Sequence, residues 1–240
     1  MTWYAKPKGG YSITSNEGLA NILEMAGCWT AWTVEAQAAA IGNSIHEGGL
    51  NPWRWQSDSE RSIPDGGYGL FQFTPGRGYV YGIARNKANM STTHQTPEAR
   101  PEDGAIQCEV VATNELGKWV SSCWRSYWSP TSYNVLYAYR QDVLNRWGSG
   151  SSISLAQFGQ CQDLDAATFI FLACFEGPKI PNYDVRKRSA TQVYEILTGS
   201  PPPTPPVPPT PPEPTPPVPI DISNLVMYAK KHNRKIIRKI

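Results

Sequence analysis

Ile41-Gly-Asn-Ser-Ile-His-Glu47-Gly-Gly-Leu-Asn-Pro52 is the stretch on which the reading of this chain turns. Upstream of it, Thr33 is a helix-capping residue type and Glu35 falls in the first turn, where the helix dipole favours an anion. Val34, Ala38, Ile41 and Ile45 recur at three- and four-residue steps, so the helix buries one face. Ala36, Ala38, Ala39, Ala40 and Gly42 are small and permit close packing of neighbours. Gln37, the one long side chain among them, is expected to point to solvent. The helix stops at Gly48-Gly49 and leaves Glu47 in its last turn. Helix C-termini disfavour anions by about 0.3–1 kcal/mol. That penalty and partial burial both predict an upward shift of the Glu47 pKa. A raised pKa is what a general acid needs near neutral pH.

Beyond this helix, Asn51-Pro-Trp-Arg-Trp-Gln56 is an aromatic, polar loop, and residues 57–67 are rich in Ser, Asp, Gly and Pro and read as turn. Residues 68–73 alternate weakly and predict a short strand within a Gly-rich hairpin. A carboxylate at a helix C-terminus facing such a hairpin is a common way to build a sugar-cleaving cleft. Helical patterns also cover residues 17–26, a start within 78–88, 101–120 with Asp103 as cap, 135–147, 154–158, 166–175 with Asp163 as cap, and 183–197. Residues 166–175 are apolar nearly all round and belong at the centre of the core. In the last helix Val185, Val193, Ile196 and Leu197 are expected inward, with Arg186, Lys187 and Arg188 outward. The pattern predicts a mainly α fold with one small β-hairpin.

The chain is read as three parts: a folded domain over 1–198, a linker over 199–219 and a tail over 220–240. Residues 201–219 contain thirteen prolines. At ~3.1 Å per residue this polyproline spacer extends roughly 60 Å. The tail holds one acid, Asp221, against Lys230, Lys231, Arg234, Lys235, Arg238 and Lys239. The net charge of +2 therefore hides a basic tail and a net acidic remainder, which argues against nucleic acid as a partner. The tail reads either as a solvated terminus or as a tether for another protein, an anionic wall polymer or a membrane. No apolar run is long enough to span a membrane. Met1-Thr-Trp-Tyr-Ala-Lys-Pro7 lacks the charged start and apolar run of a secretion signal, so exit from a cell is expected by another route such as lysis. Cys28, Cys108, Cys123, Cys161 and Cys174 are odd in number and include no CxxC pair. That pattern predicts no zinc site and buried free thiols, with one or two disulfides after release as the alternative. No cofactor and no metal are expected.

Three motifs occur in order: Gly42-Asn-x-x-x-Glu47-x-x-Leu-Asn-Pro52; Gly67-Tyr-Gly-Leu-x-Gln72-x-Thr-Pro75; and Phe169-Ile-Phe-Leu-Ala-x-Phe-Glu176-x-Pro178 followed by Arg188-x-Ala190. Together they resemble the phage tail-type lysozyme family over residues 16–198. The first two are also similar to goose-type lysozymes and lytic transglycosylases. The resemblance implies an α+β lysozyme-like domain with the hairpin lining the cleft. It also implies that the protein cleaves the β-1,4 bond between N-acetylmuramic acid and N-acetylglucosamine in peptidoglycan. The chain departs from the family pattern at Gly48, often Ser, and at Gly177, where an Arg usually follows the acid. A related podoviral protein carries a second, metallopeptidase domain. This chain has three His and no His-x-His pair.

On this reading Glu47 donates a proton to the leaving oxygen. Two-carboxylate glycosidases need a second acid, and Asp58, Glu60 and Asp65 lie in the loop that could supply it. Without one, the substrate's N-acetyl group or its 6-hydroxyl assists, the latter giving an anhydro product. Gln72 carries over as a substrate-binding residue, with bonding across the hairpin as the structural alternative. Tyr68, Trp53 and Trp55 are candidate sugar platforms, or ordinary packing. Glu176 carries over as a family motif residue, read as supporting the cleft wall, with catalysis as the alternative. The expected setting is a phage tail tip acting on the host wall, with an endolysin as second choice. The linker and basic tail would contact other tail proteins. A catalytically silent tail protein that only binds glycan, and a chitinase-like enzyme, are the rival readings.

Overall fold

The computed structural model describes residues 3–6, 8–56, 66–83 and 103–201. They form α1 (Asn16–Cys28), α2 (Val34–Glu47), α3 (Gly76–Gly82), α4 (Asp103–Thr113), α5 (Asn134–Trp147), α6 (Leu155–Gly159), α7 (Leu164–Phe171) and α8 (Tyr183–Thr198). A π-helical turn, Leu172–Glu176, continues α7. The fold is mainly α, as the sequence pattern predicts. Among the described residues no helix is long and apolar enough to cross a membrane. Asp58, Glu60 and Asp65 lie outside the described residues, as do the linker beyond residue 201, the tail, and the stretch 84–88.

Several helices start at a capping side chain. Ser15 accepts from the Gly18 amide, Thr33 from Ala36 and Asp163 from Ala166, caps worth about 0.5–2 kcal/mol each. Helix α7 is the centre of the core: Ala166, Ala167, Phe169, Ile170 and Phe171 are all fully buried. Each large apolar side chain among them contributes about 1.5–3 kcal/mol by leaving water. Helix α2 lies against α7 and α8. At its closest approach to α8, a Cβ on Gly42 would stand 2.6 Å from the backbone N and Cα of Ala190. Two motif residues thus meet where the helix backbones nearly touch.

Four expectations change. The β-hairpin is reduced to two isolated antiparallel bridges, Trp55 to Tyr68 and Tyr68 to Phe73. Leu70, Phe71 and Phe73 are all buried, so the segment has no solvent face on which to alternate, and it coils against the end of α2 instead. The Gly48 amide donates to Leu70 O at 3.1 Å there. Helix α4 is shorter than the predicted 101–120, because Asn114 and Gly117 both take left-handed backbone and turn the chain away. Gln37 does not point to solvent: its Nε2 donates to the carbonyls of Trp29 and Trp32, closing the turn between α1 and α2. On α8 the facing is reversed at one turn. Arg186 is buried at 4% exposure while Val185 is 38% exposed.

Candidate active site

Glu47 ends α2, and Arg186 of α8 lies beside it because Gly42 and Ala190 bring the two helices together. Arg186 and Ala190 are one turn apart, as are Asn43 and Glu47, so each pair shares a helix face. The Arg186 Nη2 donates to Glu47 Oε1 at 2.5 Å, and Nη1 donates to Asn43 O and Oδ1, both at 3.2 Å. Asn43 is fixed in turn, its Nδ2 donating to Ala39 O and Thr168 O. The pair is asymmetric, with Arg186 buried and the Glu47 side chain 21% exposed. A buried guanidinium therefore holds a carboxylate at the edge of solvent.

That edge is a cleft of about 650 Å³ lined by Glu47, Gln56, Gln72, Lys118 and Glu176, among others. Two acids and a lysine converge on one space. Neighbouring His46 is not part of it: its Nε2 meets Ser189 Oγ at 2.9 Å. Burial, then the Arg186 charge, lowers its pKa from 6.5.

Glu176 reaches the cleft through the π-turn. The Gly177 amide donates to Leu172 O at 2.8 Å, five residues back, and Gly177 closes the turn at φ 56. The widened turn shifts the side-chain register of α7 so that Glu176 leaves the core, and such bulges are frequent at functional sites. The segment 120–128 holds the turn by its carbonyls. Val120 N donates to Cys174 O, Arg125 Nη2 to Phe175 O, Tyr127 Oη to Gly177 O and Trp128 Nε1 to Pro178 O. Glu176 as a residue keeps some exposure at the cleft mouth, but its Oε1 is enclosed without a hydrogen-bond partner among the described residues. Burial pushes its carboxyl well above the usual 4.5, and the Glu47 charge pushes it further. Arg186, Lys118 and Arg125 oppose both. Lys118 is half-buried over the Phe73 ring, and burial lowers its pKa from 10.5 against the pull of Glu176.

Both departures from the family pattern have packing causes. A Cβ on Gly48 would sit 2.2 Å from Gly69 O and 2.6 Å from Leu70 Cα, so a serine there would strike the loop. A Cβ on Gly177 would sit 2.2 Å from the Nε of Arg125. The guanidinium absent at position 177 is thus supplied next to Glu176 by Arg125, from another segment. Gln72 lines the cleft, yet its Nε2 donates to Arg54 O and Gly69 O. Its Oε1 lies over Gly67, 2.8 Å from where a Cβ would stand.

The expected sugar platforms are placed elsewhere. Trp53, Trp55 and Tyr68 are 3%, 5% and 0% exposed. Trp55 packs on Tyr68 with ring centroids 4.6 Å apart, and the Tyr68 hydroxyl donates to Asp103 Oδ2. Their faces are covered by protein, which is the packing alternative for these residues. Asn51 of the first motif pins the N-terminal segment, donating to Lys6 O and Gly9 O. Lys118, which lines the cleft, and Arg186 and Arg125, which stand behind its two acids, are residues that the sequence pattern did not single out.

The family model for phage tail lysozyme matches residues 24–197. That is most of the chain and all of the cleft's described residues, and the chain belongs to this family. No curated protein matches it.

Proposed function

We propose that this member of the phage tail lysozyme family cleaves the β-1,4 bond between N-acetylmuramic acid and N-acetylglucosamine, with Glu47 as general acid. The observation that carries the reading is the placement of Glu47: the end of a buried helix, at the edge of a cleft of about 650 Å³, with its carboxylate held by Arg186. Bond cleavage needs a proton on the leaving oxygen and leaves a carboxylate behind. Arg186, already oriented by Asn43, stabilises that carboxylate as it forms, without reorganisation. Gln72 offers the substrate its carbonyl oxygen, since its amide nitrogen serves the loop.

The phage uses this activity to breach the host wall, from the tail tip or as an endolysin, with the linker and basic tail positioning the domain against other tail proteins. A silent glycan-binding protein drew its support from Gly48 and Gly177, and packing accounts for both. The test is digestion of purified peptidoglycan followed by mass spectrometry of the soluble products. Muropeptides ending at N-acetylmuramic acid are expected. Products cut only in the peptide stems, or digestion of chitin oligomers in preference to peptidoglycan, would overturn the proposal.

A further inference from the structure

We propose that Glu176 is the second carboxyl group of this site and that Glu47 and Glu176 carry one proton between them through the reaction. The inference rests on the glycosidase reading of the cleft. Four observations support it. Glu176 and Glu47 line the same cleft. The π-turn ending α7 aims Glu176 there, and the carbonyls around it are each bonded to the segment 120–128. Its Oε1 is enclosed and unpartnered among the described residues, a costly arrangement for a group with no task. The charges acting on it are Glu47 on α2, Arg186 on α8, and Lys118 and Arg125 on the segment between α4 and α5, and Arg54 and Lys179 line the same cleft.

These surroundings split the two acids. Glu47 has a guanidinium against its carboxylate. Glu176 sits in a desolvated corner beside that negative charge, which favours its neutral form. Two carboxyls in surroundings this different are the pattern of acid and base in one site. The cycle then balances. The resting pair holds its proton on Glu176, and the reactive form is the minor one in which exchange with solvent has placed that single proton on Glu47. Glu47 gives it to the glycosidic oxygen as the C–O bond breaks. Water attacks the anomeric carbon and its proton goes to Glu176, now a carboxylate. The pair is restored with one proton on Glu176 and Glu47 ionised against Arg186. The products are one glycan with a new reducing end, one with a free 4-hydroxyl, and no anhydro sugar. Asp58, Glu60 and Asp65 are not needed for this cycle.

The experiment compares the full chain with Glu176→Gln, Glu176→Asp and Glu47→Gln on purified peptidoglycan. Release of reducing ends is followed across pH, together with sedimentation of the protein with the insoluble wall. Glu176→Gln is expected to lose about 10²–10⁴-fold in rate, the range of general acid–base catalysis, while still sedimenting with the wall. Glu176→Asp should recover part of the rate. The wild-type profile should be bell-shaped, because only the singly protonated pair is active, and the residual activity of Glu176→Gln should lack the acid limb, since no base is left to be protonated, while keeping the alkaline one. Wild-type rate and profile in Glu176→Gln, with Glu47→Gln inactive, would overturn the inference alone. Anhydro ends from the wild type would do the same without any variant. Full activity in Glu47→Gln would instead remove the assignment of Glu47 as the acid, and soluble products cut only in the peptide stems would remove the glycosidase reading beneath both.

Discussion

Arg186 shows how much of this site depends on single side chains. It is buried and charged, and its partners Glu47 and Asn43 sit on a different helix. Breaking a buried pair by removing one member costs about 3–5 kcal/mol, because the other charge is left uncompensated. Arg186→Met should therefore be less stable than wild type in urea unfolding, by less than that figure because the stranded Glu47 carboxylate lies at the edge of solvent. Arg186→Met combined with Glu47→Gln should recover much of the loss, since no charge is then stranded. Equal losses in the single and double variants would mean that packing of the arginine stem, not the pair, is what matters. Periodicity placed Arg186 outward because inward positions are read from apolar residues. A buried arginine counts against such a pattern, and only its partner on α2 explains it. Arg125 and Lys118 were illegible for another reason: they lie between helices, where no period exists to assign a face. Glu47 was read from its place at a helix end before Gly48-Gly49, whereas Glu176 entered only through the motif that the chain shares with the family.

The pairing of α2 with α8 is what sets the site geometry. Gly42 faces the Ala190 backbone at a distance no side chain tolerates. On helix propensity alone Gly42→Ala should stabilise by up to ~1 kcal/mol. The contact predicts the opposite, an overpacking cost of about 1–3 kcal/mol, and a slower enzyme because Arg186 moves away from Glu47. Thermal unfolding decides between the two signs, and a rise in Tm would refute the close-packing account. The helices themselves were readable from capping residues and apolar spacing. The hairpin was not, because its alternation is weak and burial on all sides, not pleating, decides its shape. The π-turn had no sequence signal beyond the Gly177 that closes it.

For the molecule as a whole, Glu176 links stability to pH. Its native pKa is raised above the ordinary 4.5, so the folded state keeps a proton that the unfolded chain releases. The stability tied to this group is intact below the unfolded value and falls as pH rises from there to the raised native value. Glu176→Gln removes the group, so its Tm should exceed that of wild type near neutral pH and converge with it in acid. Parallel Tm curves would show that the carboxyl is not perturbed. A site that costs stability in this way fits a residue kept for its chemistry.

The central claim is that Glu47 delivers the proton that cleaves the glycan. It is tested most directly by the rate at which Glu47→Gln releases reducing ends from purified peptidoglycan. The glutamine keeps the shape and a hydrogen bond from Arg186 but has no proton to give. The account predicts a loss of about 10²–10⁴-fold with the fold retained. A rate equal to that of the wild type would contradict it.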